Sequence, residues 1–189
     1  MYETVAVVGP LSSGKGILID LLKSKGFVVY SLSNVVREKC TIWGLPHTRK
    51  NLQDVGNKIR QQFGPSMLAE LSAASFKKEN PGKAVFDGIR NPAELKYLKK
   101  EFKILTIGIT ANQKTRFELL LKRNREGDPK TWEEFLKLEE RDRGIGEESF
   151  GQQVDACLKM ADVIFENNGS IEDFNRNISY FLRANKLVA

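Results

Sequence analysis

Residues 5–18 read VAVVGPLSSGKGIL, and this stretch decides the fold. An apolar run at 5–8 leads into a glycine-rich loop, and the loop leads into apolar residues at helical spacing. The pattern predicts a strand, a tight loop and a helix in succession. Glycines at 9 and 14 permit backbone conformations that turn successive N–H groups inward. The loop therefore predicts an anion-binding cradle at a helix N-terminus.

The loop matches the pattern G-x-x-x-x-G-K, the P-loop, in which a lysine reaches the β- and γ-phosphates of a nucleotide. Lys15 is that lysine, and Gly16 stands where most P-loops place the Ser or Thr that binds Mg²⁺. The alternative is a chance glycine turn, which is disfavoured because the motif lies between a predicted strand and a predicted helix, as a P-loop does. We predict that the nucleotide contacts the loop at Gly9, Leu11, Ser12, Ser13, Gly14, Lys15, Gly16 and Ile17.

Composition is that of an ordinary globular protein: 189 residues, 41% hydrophobic and 29% charged. The length predicts a single domain over residues 1–189. No apolar run approaches the roughly 20 residues that span a bilayer, and no charged leader precedes the first strand, so we expect a cytoplasmic protein without a membrane partner. The net charge of +6 is scattered over several predicted helices, which argues against a nucleic-acid partner.

Five strand-like runs alternate with helical patterns, at 4–8, 27–30, 84–86, 104–109 and 163–165. Such alternation predicts a three-layer α/β fold with a five-stranded parallel sheet. Two stretches are longer than a simple crossover needs. We predict that residues 33–80 form a helical insertion that binds a phosphate acceptor, and that residues 116–146 form a lid region over the donor.

The segment Lys83–Arg90 is an apolar strand that ends in Asp87, Gly88 and Arg90. In an open α/β sheet, ligands lie beyond the carboxyl ends of the strands, so Asp87 should face Lys15. A carboxylate there can hold Mg²⁺ through water, and Arg90 can bind a phosphate with two N–H groups. The alternative is an Asp-Gly pair that only makes a turn.

Ser33 and Arg37 open a predicted helix directly after the second strand, which places them at the same crevice. We predict that both contact the acceptor. Arg37 could bind the acceptor's phosphate, or it could pair with Glu38 or Asp54, or remain solvated.

Five arginines flank the polar turn at 126–129: Arg116, Arg123, Arg125, Arg141 and Arg143. Phosphoryl transfer spreads negative charge over the transferred group, and arginines that close over it stabilise that charge. Some of the five should be surface residues with acidic partners. We expect two to reach phosphate, Arg123 together with either Arg125 or Arg141. Arg123 and Arg141 are the predicted catalytic residues beside Lys15 and Asp87.

These segments, together with 161–170 (ADVIFENNGS), make the chain similar to the P-loop nucleoside monophosphate kinase superfamily. Within it, the chain most resembles the dephospho-CoA kinase-like or adenylate kinase-related group of archaea and bacteria. The resemblance implies ATP and Mg²⁺ as cofactors, a Mg²⁺–water role for Asp87 and an acceptor-phosphate role for Arg37 and Arg90. It also implies that the loop at 167–170, including Gly169, contacts adenine.

The interpretation we prefer is an ATP-dependent phosphotransferase that acts on a nucleoside or deoxynucleoside monophosphate, as a monomer or homodimer. One alternative is a dephospho-CoA kinase, although Ser33-Asn34 stands where those enzymes carry an acid pair. Another is a nucleotide-sensing P-loop protein with weak transfer.

Overall fold

A computed structural model describes residues 3–125 and 127–187 of the chain. Glu126, which belongs to the predicted polar turn, lies outside the described residues, as do the two residues at each end of the 1–189 range. The sheet has five parallel strands: β1 (Thr4–Val8), β2 (Val28–Ser31), β3 (Ala84–Asp87), β4 (Ile104–Thr110) and β5 (Val163–Glu166). Their order is β2-β3-β1-β4-β5.

Nine helices connect the strands in the described part of the chain: α1 (Lys15–Ser24), α2 (Leu32–Ile42), α3 (Arg49–Phe63), α4 (Met67–Glu79), α5 (Pro92–Glu101), α6 (Gln113–Arg123), α7 (Trp132–Arg143), α8 (Val154–Lys159) and α9 (Ile171–Ala184). Helices α2 to α4 make up the predicted insertion, and α6 and α7 lie in the predicted lid region. No helix among residues 3–125 and 127–187 is both long and apolar enough to cross a membrane.

The core lies on both faces of the sheet because alternate residues of each strand point in opposite directions. Val5 and Val7 of β1 pack with α1 and α9, whereas Ala6 and Val8 pack with α2 to α5 and α8. All five residues of β1 are buried, as expected for a central parallel strand covered on both faces. The predicted three-layer α/β fold is confirmed.

Strand boundaries differ from the predicted ones by a residue at a few ends. Phe27 precedes β2 instead of beginning it, because its N–H is bonded to the carbonyl of Leu22 and completes the end of α1. Helix starts follow their sequence signals. Asn91 and Thr131 each form a capping box with a glutamate, Glu94 and Glu134 respectively.

Parallel strands bring their carboxyl ends to one edge of the sheet. The glycine loop after β1 therefore lies between the ends of its neighbours, β3 and β4. The residues after β2, β3 and β5 approach the same edge. This edge is where ligands bind in open α/β sheets.

Candidate active site

The glycine loop has a backbone that other residues could not readily adopt. Gly9 and Gly14 have φ angles of +149° and +102°. A Cβ at Gly9 would overlap the carbonyl oxygen of Ile109, and a Cβ at Gly14 would lie 2.5 Å from Asn167 Nδ2. Gly14 is also the N-cap of α1, so the N–H groups of the loop lie at the N-terminus of this helix.

Lys15 folds back over the loop. Its Nζ donates hydrogen bonds to the carbonyl oxygens of Gly9, at 2.8 Å, and Pro10, at 2.7 Å. The pKa of Lys15 is lowered from 10.5 to about 7, chiefly by removal from water and also by the nearby charge of Arg90, while Asp87 opposes both. A bound polyphosphate would supply the negative charge that this ammonium lacks.

Three buried polar atoms around the loop have no hydrogen-bond partner among the described residues: Ser12 Oγ, Ser13 Oγ and Asp87 Oδ1. Buried polar groups are nearly always paired, so unpaired ones indicate ligand contacts. Two hydroxyl donors suit phosphate oxygens. The carboxylate oxygen suits a water on Mg²⁺, whose usual partners are oxygen atoms. The residues present therefore fit a Mg²⁺–nucleotide, with Asp87 as the side chain that would hold the metal through water.

Gly88 packs the end of β3 against the start of α2. A Cβ at Gly88 would lie 2.5 Å from Ser33 Oγ and 2.8 Å from Ser33 N. This close approach brings Ser33 beside Asp87, and both line the same cavity.

That cavity, which we call the P-loop cleft, has a volume of about 570 Å³. It brings together most of the predicted site: Leu11, Ser12, Ser13, Gly14, Lys15, Gly16, Ile17, Ser33, Arg37, Asp87, Arg90, Arg123 and Gly169. Gly9 contributes its carbonyl oxygen to Lys15 instead of lining the cleft. Two further arginines, Arg49 and Arg125, also line it. Among the described lining residues, Asp87 is the one carboxylate facing five arginines and a lysine.

Arg49 and Arg123 share one carboxylate. Arg49 Nε lies 2.9 Å from Asp128 Oδ1, and Arg123 Nε lies 2.8 Å from Asp128 Oδ2. The Asp128 side chain is 1% exposed. Burial acts to raise the pKa of Asp128, but the two guanidinium groups outweigh it and hold the pKa below its usual value. Asp128 thus joins the start of α3 to the end of α6 at the cleft.

Arg141 is a predicted catalytic residue that the structure does not bring into the P-loop cleft. Its guanidinium lies 2.6 Å from Asp54 and 2.7 Å from Glu147, on the far side of α3. Arg141 faces away from the loop because α7 turns Asp142, the next residue, inward. We therefore correct its assignment from phosphate contact to a link between α3 and the residues after α7.

The other lid arginines lie in three different environments. Arg116 is buried against Glu139 and donates to the carbonyl of Leu11, so it supports the glycine loop from behind. Arg143 pairs with the half-exposed Asp155. The carbonyl oxygen of Arg125 accepts a hydrogen bond from Asp128 N, but the Arg125 side chain makes no hydrogen bond or ion pair with any described residue.

A second cavity, the inner cavity, opens beside the cleft between α2, α3 and α7. Ser33, Arg37, Arg49 and Arg90 line both spaces. Arg90 lies 3.1 Å from Asp142 of α7, and Asp142 accepts a hydrogen bond from Gln53 of α3 at 2.7 Å. The same two arginines predicted for the acceptor, Arg37 and Arg90, are therefore common to the two spaces.

Sequence reasoning missed Arg49, Gln53, Asp128 and Asp142. Arg49 carried a usable signal, since it begins α3, where the helix dipole favours acidic residues and disfavours basic ones. A basic first turn behind a Thr48 N-cap suggests an anion nearby. For Gln53 and Asp142 we find no comparable signal, because their partners are distant in sequence. Asp128 lies five residues from Arg123, but its second partner, Arg49, is 79 residues away.

Taken together, the parallel sheet, the glycine loop and its lysine define the fold of a P-loop kinase. Solved structures with this fold include shikimate kinase from Acinetobacter baumannii in complex with shikimate, with a TM-score of 0.59, 13% identity and coverage of 99% of this chain and 96% of that one. A sugar kinase from Janibacter has a TM-score of 0.56, 9% identity and coverage of 97% and 95%. At these identities the likeness is one of fold.

The chain belongs to the UPF0200 family. It is 36% identical over 182 residues to a UPF0200 protein of Pyrococcus furiosus, covering 91% of each chain. It is 32% identical over 185 residues to one from Sulfurisphaera tokodaii, covering 97% of each. No protein-family model matches the chain. The finer resemblance to dephospho-CoA kinase-like proteins stays a prediction.

Proposed function

We propose that the chain is an ATP- and Mg²⁺-dependent phosphotransferase whose acceptor is a nucleoside or deoxynucleoside monophosphate. The observation that carries the proposal is the placement of two sets of cationic groups in one cleft. Lys15 and the loop hydroxyls line this cleft together with Arg37 and Arg90, and the two arginines also line the inner cavity, on which the proposed acceptor side is based. Two anions brought together in this way are the reactants of phosphoryl transfer between a nucleoside triphosphate and a phosphate.

The donor side would hold ATP. The N–H groups of the loop and the N-terminus of α1 favour negative charge, and Ser12 and Ser13 have hydroxyl groups free to donate. Gly169, on the loop after β5, lines the same cleft and is the expected neighbour of adenine. Mg²⁺, when bound, would neutralise charge on the phosphates.

The acceptor side would hold a phosphate between arginines. Arg37 lies on α2 and Arg90 follows β3, yet both line the cleft and the inner cavity. Arginine binds phosphate through paired, charge-assisted hydrogen bonds. A phosphate oxygen attacks without prior loss of a proton, so catalysis rests on positioning and on neutralisation of charge by Lys15 and Arg123.

One observation favours a second candidate, a hydroxyl acceptor such as that of dephospho-CoA. Asp87 Oδ1 is buried without a partner among the described residues and could take a hydroxyl proton. A nucleotide sensor with weak transfer is the non-enzymatic alternative. In each case the partner is a small molecule and not nucleic acid, and the assembly state is a monomer or a homodimer.

A panel of nucleoside and deoxynucleoside monophosphates and dephospho-CoA, each incubated with γ-labelled ATP and Mg²⁺, tests the proposal. We expect label to move to one or a few monophosphates. Lys15→Met is the control, since it removes the ammonium and leaves the loop glycines. Transfer to dephospho-CoA alone would favour the hydroxyl acceptor, and tight ATP binding without transfer to any member would favour a sensor.

A further inference from the structure

The inner cavity contains a side chain that the proposed chemistry does not use. Gln152 lies between α7 and α8 and lines this cavity. The residue is 6% exposed. Its amide oxygen Oε1 is buried and accepts no hydrogen bond from any residue in the ranges 3–125 and 127–187. A polar group in this state is costly to keep and indicates a partner supplied from outside the chain.

The segment that carries Gln152 is fixed to the acceptor side of the site. Asn91 Nδ2 donates hydrogen bonds to the carbonyl oxygens of Ser149, at 2.9 Å, and Gly151, at 2.8 Å. Gln153 N donates to the carbonyl oxygen of Arg90 at 2.6 Å. Gln152 is thereby held directly beside the segment that supplies a predicted phosphate ligand.

Glycine at 151 makes this close packing possible. A Cβ there would lie 2.5 Å from Glu147 Oε2 and 2.7 Å from Glu147 Cβ. The tight turn brings Gln152 to the cavity wall.

Three other polar side chains on this wall already have partners. Gln53 Nε2 and Arg90 both bond the carboxylate of Asp142, and Arg60 lies 2.7 Å from Glu94. Much of the remaining wall is apolar, formed by Leu11, Leu32, Val36, Leu52, Leu68 and Leu138. A ligand group entering the cavity from the cleft would meet apolar surface, the Ser33 hydroxyl at the entrance that the two cavities share, and the buried, unpaired amide oxygen of Gln152.

We propose that Gln152 is a specificity residue for the acceptor. Its amide oxygen accepts a hydrogen bond from an N–H or O–H group on the part of the acceptor that lies beyond the phosphate. The inner cavity has a volume of about 50 Å³, so it admits the edge of a ligand group and not a whole ring. The acceptor class is therefore a monophosphate whose attached group presents a hydrogen-bond donor at its edge, such as the amino or imino group of a base that itself lies in the cleft. This inference rests on the proposed function, because the phosphate on Arg37 and Arg90 orients that group.

The first measurement is thermal unfolding of the ligand-free protein with Gln152→Met. Methionine keeps the length of the side chain and removes the unpaired amide. We expect a Tm equal to or above that of the wild type. A lower Tm would mean that the amide stabilises the free protein, and would overturn the proposal. Gln153→Met is the matched control, since that neighbouring side chain makes only long hydrogen bonds to two backbone carbonyls.

The second measurement is steady-state kinetics with the monophosphate that the labelled-ATP panel identifies, and with an analogue that lacks its donor group. Wild-type protein should prefer the natural acceptor at least tenfold in kcat/KM. Gln152→Met should lose that preference through a higher acceptor KM, with the KM for ATP unchanged, and Gln153→Met should keep it. An undiminished preference in Gln152→Met would disprove the role of Gln152 while leaving the kinase intact. If no acceptor in the panel is phosphorylated, both the proposed function and this inference are contradicted.

Discussion

At the scale of single residues, Gly16 is the position where this loop departs from most P-loops. It lies in the first turn of α1, and a Cβ built there meets no atom within 4 Å. The absence of a side chain is therefore not imposed by packing. A loop without this hydroxyl leaves Asp87 as the one carboxylate, among the described residues that line the cleft, suited to a metal-bound water.

Gly16→Ser should lower the Mg²⁺ concentration needed for half-maximal transfer, because it adds a hydroxyl oxygen at the usual metal position. Gly16→Ala adds the same Cβ without oxygen and should leave the Mg²⁺ requirement unchanged. Titration of activity with Mg²⁺ at saturating ATP measures both. Equal effects of Ser and Ala would show that the hydroxyl does not reach the metal.

Asp87→Asn should raise the Mg²⁺ requirement on the order of tenfold, as loss of a group that orients a metal-bound ligand does. The amide keeps the size of the side chain but loses the charge that attracts the hydrated cation. The same Mg²⁺ titration measures the change. An unchanged requirement would reduce Asp87 to a turn residue at the end of β3.

Lys15 couples ATP binding to the uptake of a proton. Its pKa in the free protein is about 7, against an ordinary 10.5, chiefly because it is withdrawn from water. Bound phosphates would raise this pKa again by charge attraction. Between about pH 7 and 10.5, Lys15 is therefore largely deprotonated in the free protein and protonated in the complex. ATP binding takes up a proton in this window, so ATP affinity falls as the pH rises through it.

Calorimetric titration with ATP at pH 8.5, in two buffers of different ionisation enthalpy, measures this uptake. We expect up to about one proton per ATP in the wild type and a smaller uptake in Lys15→Met. The contrast between the two proteins isolates Lys15 from protons taken up by ATP itself. Identical uptake in both would contradict the lowered pKa.

At the scale of elements, the insertion and the lid region are joined along α3 and α7. Gln53 and Asp54 on α3 contact Asp142 and Arg141 on α7, and Arg49 reaches Asp128 in the turn before α7. Asp128 is the contact nearest the P-loop cleft, and it neutralises two arginines that line it. Substrate phosphates would compete with this carboxylate for the same guanidinium groups.

Asp128→Asn should destabilise the free protein by about 1–2 kcal/mol, a value reduced from that of a fully buried pair because Arg49 and Arg123 are partly exposed. It should also enlarge the rise in Tm that saturating ATP produces, because phosphates then replace the lost charge. Thermal unfolding with and without ATP measures both effects. Asp155→Asn, which breaks the surface pair with Arg143, should change neither by a comparable amount.

The elements themselves could be predicted from the sequence because their signals are local. Runs of apolar residues marked the strands, and Asn91 and Thr131 marked helix starts. Most of the cleft residues that could be predicted follow a strand or belong to the glycine motif; Arg123 was predicted instead from the arginines that flank the polar turn at 126–129. Arg141 shows the limit: it and Asp142 are equally polar neighbours on one helix, and only the packing of α7 on α3 decides that Asp142 faces the cavity.

At the scale of the whole molecule, strand order creates the acceptor side. Strands β2 and β3 are far apart in sequence but pair with each other in the sheet, with Ser31 beside Asp87. The residues that follow them therefore meet at one edge, which brings Arg37 of α2 and Arg90 to the same two cavities. The glycine loop follows β1, on the other side of β3, so donor and acceptor groups come from neighbouring crossovers.

This topology makes a prediction about which ligand each arginine serves. Arg37→Ala and Arg90→Ala should each weaken acceptor binding by about 1.5–3 kcal/mol, since each removes charge-assisted hydrogen bonds to one phosphate. ATP affinity should change much less, because the ATP phosphates lie on the loop and Lys15. Calorimetric titration with ATP and with the acceptor that the panel identifies measures both. If both variants weaken ATP and spare the acceptor, the two sites are reversed. If neither weakens the acceptor, its phosphate binds elsewhere, and the convergence of Arg37 and Arg90 is a product of the sheet order alone.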